Sequence, residues 1–76
     1  MNNIRRKQIA AIMEQLEALR EEVEALQEEE QEAFDNLPEG IQMSERGEAM
    51  EEAASNLDTA AYSIQEVLDY LEEAIQ

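Results

Sequence analysis

Between Met50 and Ile75 three positions of every heptad are apolar, and this stretch limits what the chain can fold into more than any other. The a positions are Met50, Leu57, Ile64 and Leu71, the d positions Ala53, Ala60, Val67 and Ala74, and the e positions Ala54, Ala61, Leu68 and Ile75. A seam between two helices uses only a and d, so a helix apolar at a, d and e asks to be covered by more than one neighbour. The same chain holds one. From Ile9 a second row runs at steps of three and four through Ile12, Leu16, Leu19, Val23, Leu26, Glu30, Ala33 and Leu37, with Met13 and Phe34 widening it on one flank. No glycine or proline interrupts Asn3 to Asn36, and the remaining residues are mostly Glu, Gln and Ala, all good helix formers. One helix about 50 Å long follows, at ~1.5 Å per residue.

Pro38 biases Leu37 away from the helical region and Gly40 adds a second breaker. The sequence therefore divides into a first helix over about 3–36, a connection over 37–43 and a second helix over about 44–75. Ser44 is placed to cap the second helix, with Glu45 and Glu48 in the first turn, where the helix dipole favours negative charge. Gly47 costs that turn some helicity. Folding back at so short a connection gives an antiparallel pair in which facing residue numbers sum to roughly 80: Leu16 with Ile64, Val23 with Leu57, Ile9 with Leu71. The basic run Arg5, Arg6, Lys7 then lands beside Glu72, Glu73 and the C-terminal end of the second helix, which suits both charges and dipole better than a role in binding a partner. The expected fold is all-α: one domain over 1–76, an antiparallel helical hairpin assembling into a homodimeric four-helix bundle or a larger one.

A chain of 76 residues has difficulty burying enough apolar surface alone, and it has no cysteine to staple it. It has no histidine either, which removes the usual zinc ligands and the usual general base. The runs Glu28, Glu29, Glu30 and Glu51, Glu52 show neither calcium-loop spacing nor the Glu and His pattern of a di-metal bundle. No catalytic triad, phosphate loop or glycine fingerprint is present, so neither enzyme, cofactor nor metal site is expected. The charge-free run Thr59 to Gln65 is far short of the ~20 apolar residues of a membrane span. Glu14 and Glu17 cut the apolar segment behind the basic run, unlike a signal peptide, so a soluble cytoplasmic protein is expected. A net charge of −15 argues against direct binding to nucleic acid or an anionic membrane.

Three residues break the pattern. Glu30 occupies an apolar slot of the first helix, and Arg46 extends the d row of the second backwards, at a matching depth. The simpler reading is an interhelical Glu30–Arg46 pair that fixes register at some cost in stability. The functional one is that Arg46, with Ser44 at the helix N-terminus, receives a phosphate or carboxylate, against the repulsion of Glu30, Glu45 and Glu48. Arg20 is the only basic residue between Lys7 and Arg46, and the pairing places it opposite Ala60. The second helix is small and polar there, which permits either close approach or an unfilled space. In a space, Arg20, Asn56, Ser63 and the ring of Tyr62 or Tyr70 would suit a nucleotide-sized ligand.

The hinge, Asn36-Leu37-Pro38-Glu39 followed by Ser44-Glu45-Arg46-Gly47-Glu48, resembles that of a group of small, very acidic helical proteins carried by phages and prophages of Gram-positive bacteria. The chain departs from that pattern at Met43, where a glutamate is expected, and in the Ala/Ser/Thr-rich centre of the second helix. The resemblance implies a phage origin but no particular activity. Small phage proteins that sequester nucleotide immune signals are a precedent in kind. On that basis the first expectation is a non-enzymatic homo-oligomer that sequesters a small anionic, nucleotide-derived signal of the host. The alternatives are an acidic mimic of nucleic acid that inhibits a host protein, and a structural or assembly helper.

Overall fold

The breakers act where they stand in the computed structural model, which describes residues 1–76. Helix α1 runs Asn3–Asp35, a single turn α2 spans Glu39–Gln42, and α3 runs Glu45–Ala74; there is no strand. Asn2 opens α1, its side-chain oxygen accepting the Arg5 N–H at 2.8 Å. The connection is more ordered than the breakers imply. Pro38 stands just before α2, and its carbonyl accepts the N–H groups of Ile41 and Gln42 at 2.9 and 3.0 Å. The missing proline N–H costs nothing at a helix start, so the residue that ends α1 also begins the next turn.

Side chains then lock the corner. Gln42 donates through Nε2 to the carbonyls of Phe34 and Asp35 at 3.0 and 3.3 Å, adding to the Leu37 N–H that Phe34 already accepts at the end of α1. Ser44 caps α3 as expected, accepting the Gly47 N–H at 3.5 Å and donating its hydroxyl to the Ile41 carbonyl. Gly47 proves to be more than a helix-weakening residue: it is buried, and a Cβ there would lie 2.1 Å from the Gln42 carbonyl oxygen. Only glycine lets α3 leave the hinge this close to its backbone.

The two long helices pack antiparallel into a rod of 58 × 15 × 12 Å. At the open end Arg6 Nε donates to the Ile75 carbonyl at 3.1 Å, tying the basic run to the C-terminal end of α3, though none of its residues forms an ion pair with Glu72 or Glu73. Halfway along, Arg20 donates to Gln65. These pairs sum to 81 and 85, near the expected 80, the longer of the two spans being bridged by the long Arg20 and Gln65 side chains.

Which stripes face each other is the main difference from the periodic reading. In α3 the e row is innermost, with Ala54, Ala61 and Leu68 at 2, 7 and 3% exposure, and the a row is half-buried. Counting Ile9, Leu16, Val23, Glu30 and Leu37 as the a row of α1, the half-buried partners are again a and e: Met13, Arg20, Gln27 and Phe34. The d row of α1 stays outside, with Ile12, Leu19 and Leu26 at 48, 51 and 53% exposure. Val67, Ala60 and Ala74 of the α3 d row are exposed as well, and Ala53 is half-buried. Besides Gly47, no other residue than Ala54, Ala61 and Leu68 is buried. The accessible surface of 5770 Å² is about 1,000 Å² more than the ~4,700 Å² expected of a compact 8.7 kDa protein.

Candidate functional site

Because both helices turn a and e inward and run antiparallel, equivalent flanks fall on the same side of the hairpin. One side gathers the b, e and f positions. There a shallow cleft of about 410 Å³ opens between Arg20, Glu24, Gln27 and Glu28 of α1 and Asp58, Ala61, Tyr62 and Gln65 of α3. The opposite side gathers d and g.

The cleft is built around Arg20. As an e residue it points into the seam, where its Nη1 donates to the Gln65 side-chain oxygen and Gln65 in turn donates to Asp69 at 2.9 Å. Its Nε is buried without a hydrogen bond and faces Glu24 Oε1 at 3.6 Å, the one ion pair in the chain. One guanidinium thus stands among three carboxylates, those of Glu24, Glu28 and Asp58, and the cleft is net acidic. A phosphate entering it would have to displace or outcompete these groups. Tyr62 lies at the edge, 68% exposed, offering a ring rather than an enclosed slot.

Of the residues singled out from sequence, the structure brings together Arg20 and Tyr62. Asn56, Ser63 and Tyr70 occupy g, on the other side of α3, and do not line the cleft. Arg46 and Ser44 sit at the hinge, away from Arg20; Ser44 is engaged in the cap, and Arg46 is exposed without an ion pair. The Glu30–Arg46 pair does not form, because Arg46 as a d residue points out of the a/e seam that holds Glu30. Sequence reasoning passed over Gln27 and Gln65, which complete the polar middle of the hairpin. Their signal was present: Gln27 follows Arg20 by seven residues and so shares its stripe. No group of three or more acidic side chains converges as a metal site, and no helix is long and apolar enough to cross a membrane.

The d/g side has the opposite chemistry. From Ala49 to Ala74 the d and g positions of α3 read Ala49, Ala53, Asn56, Ala60, Ser63, Val67, Tyr70 and Ala74, with no charge among them. Every acidic residue of α3 stands at b, c or f. On α1 the same side carries Gln8, Ile12, Gln15, Leu19, Leu26 and Ala33, interrupted only by Glu22 and Glu29. In a chain of −15 this nearly uncharged strip is an organised surface. Contiguous exposed apolar patches of this kind mark interaction sites. Comparison with protein-family models, with curated proteins and with solved structures finds no match to the chain.

Proposed function

We propose that the chain is a non-enzymatic binding protein that works as a homo-oligomeric four-helix bundle and presents its carboxylate-covered outside to the basic surface of a protein partner, in the place of nucleic acid. The observation that carries this reading is the sorting of charge: from Ala49 onward d and g of α3 carry no charge and its carboxylates stand at b, c and f, while on α1 only Glu22 and Glu29 at g and Glu30 at a depart from that sorting. Pairing the nearly uncharged strips turns most of the acidic residues outward and gives a rod of −30, about 1.9 Å of its 58 Å length per charge. Duplex DNA carries one charge per ~1.7 Å. With the phage resemblance of the hinge, the partner is a host protein that binds nucleic acid in the host cytoplasm. Immobilised protein should capture from a Gram-positive lysate partners that duplex DNA or high salt displaces. Partners that do not bind nucleic acid, or that stay bound at high salt, count against the reading.

A second reading rests on Arg20 and Tyr62 sharing one cleft: a cation and an aromatic face suit an anionic, nucleotide-derived signal that the protein sequesters. Glu24, Glu28 and Asp58 weigh against it electrostatically. Calorimetry against cyclic and ADP-ribose-type nucleotides decides the matter. Heat that disappears in Arg20→Ala supports sequestration, and no heat with any of them removes it.

A further inference from the structure

Resting on the self-association just described, we infer the arrangement of the two copies: the hairpins lie face to face with their hinges at the same end, so that α1 of each copy packs on α3 of the other. The d rows differ in size. That of α1 carries Ile12, Leu19 and Leu26, whereas that of α3 is a trough of Ala53, Ala60 and Ala74 with Val67. Stacking α1 on α1 and α3 on α3 would set large against large and small against small, two helix spacings that one flat interface cannot satisfy together. Stacking α1 on α3 sets large against small twice, at one spacing.

The register agrees. With facing numbers summing to between 81 and 85, Leu19 lies level with residues 62–66, between Ala60 and Val67. Leu26 falls between Ala53 and Ala60, and Ile12 between Val67 and Ala74. In a same-end pair the levels of the two copies coincide, so each large side chain of α1 enters a gap between two successive d residues of the partner's α3, the knob-into-hole condition. Within one hairpin these rows lie side by side and leave the gaps open.

Charge and area fit a second copy as well. The only charged residues in the d rows are Arg5 and Arg46, each at the N-terminal end of its helix. A facing antiparallel helix brings its negative C-terminal end to each of them. The strip is about 37 Å by ~20 Å from Gln8 to Ala33, or on the order of 700 Å² per copy, close to the ~800 Å² per partner of a standard stable interface.

The chain has no cysteine, so introduced thiols report the arrangement directly. Leu19→Cys, Ala60→Cys and Val67→Cys are each made in the full chain. Helix content is checked by circular dichroism and reduced mass by sedimentation. On oxidation, a mixture of Leu19→Cys with Ala60→Cys or Val67→Cys should give a covalent dimer holding one chain of each variant, while Leu19→Cys and Ala60→Cys each alone give none. Cross-linking of Leu19→Cys or Ala60→Cys with itself means that hinges lie at opposite ends and overturns the inference. A reduced dimer that forms none of these bonds overturns the arrangement while leaving self-association intact. A reduced monomer overturns self-association and with it the arrangement.

Discussion

The two long sides of this hairpin are made by the same two helices around the same seam, yet one is a polar cleft and the other a nearly uncharged strip. On the cleft side Arg20, Glu24, Glu28 and Asp58 compensate one another, and no exposed apolar row borders them. On the strip Ile12, Leu19, Leu26 and Val67 are about half exposed, and α3 contributes no charge from Ala49 to Ala74. The difference teaches where the third apolar stripe goes. A hairpin closes with two stripes, and the remaining d stripe stays exposed. Exposed leucines taken singly need no explanation. Aligned with a charge-free row on the neighbouring helix, they do.

Removing the seam should erase both sides at once. Leu68 is 3% exposed, and Leu68→Ala should cost about 2–5 kcal/mol, read as a lower urea midpoint with loss of helix. The next largest effect separates the sides. Leu19→Glu places a carboxylate in the middle of the strip and should weaken self-association roughly a hundredfold, about 2.7 kcal/mol, in sedimentation. Glu28→Gln, on the cleft side, should leave the mass unchanged. If both variants dissociate equally, the contrast between the sides is lost.

Smaller effects sharpen the account of what orients the stripes. Gly47→Ala forces a methyl against the Gln42 carbonyl and should cost about 1–3 kcal/mol, whereas Gly40 has no atom within 4 Å of an added Cβ. Gly40→Ala should be neutral or stabilising by up to ~1 kcal/mol, because alanine restricts the unfolded chain and its helical backbone here accepts it. Thermal melts of the pair distinguish close approach from simple helix propensity. The smallest change is expected from Arg20→Met. It removes a cation from the seam together with its weak Glu24 pair, and stability should move by less than about 1 kcal/mol.

The ends of the helices were legible because their signals are local. Pro38 stops α1, Ser44 caps α3, and the observed bounds of Asn3–Asp35 and Glu45–Ala74 lie within a residue or so of those read from composition and caps. The turn α2 was not legible, since a proline and a glycine within three residues read as irregular chain. The choice of seam was harder for a physical reason. In α1 the d row of Ile12, Leu19 and Leu26 is more apolar than the e row that contains Arg20 and Gln27, so periodicity favours d. The structure turns e inward, with Gly47 against the hinge backbone setting the face that α3 presents and Gln42 fixing the end of α1. Such tertiary contacts carry no period. The candidate site suffered from the same choice: once e rather than d faces inward, Arg20 and Tyr62 share one side while Asn56, Ser63 and Tyr70 move to the other.

Sedimentation equilibrium of the unmodified chain at tens of micromolar tests the central claim most directly. A mass of about twice 8.7 kDa, falling to 8.7 kDa in Leu19→Glu but not in Glu28→Gln, is the expected result. A fully helical monomer of 8.7 kDa at that concentration would contradict it, because the uncharged strip would then be stable in water without a partner.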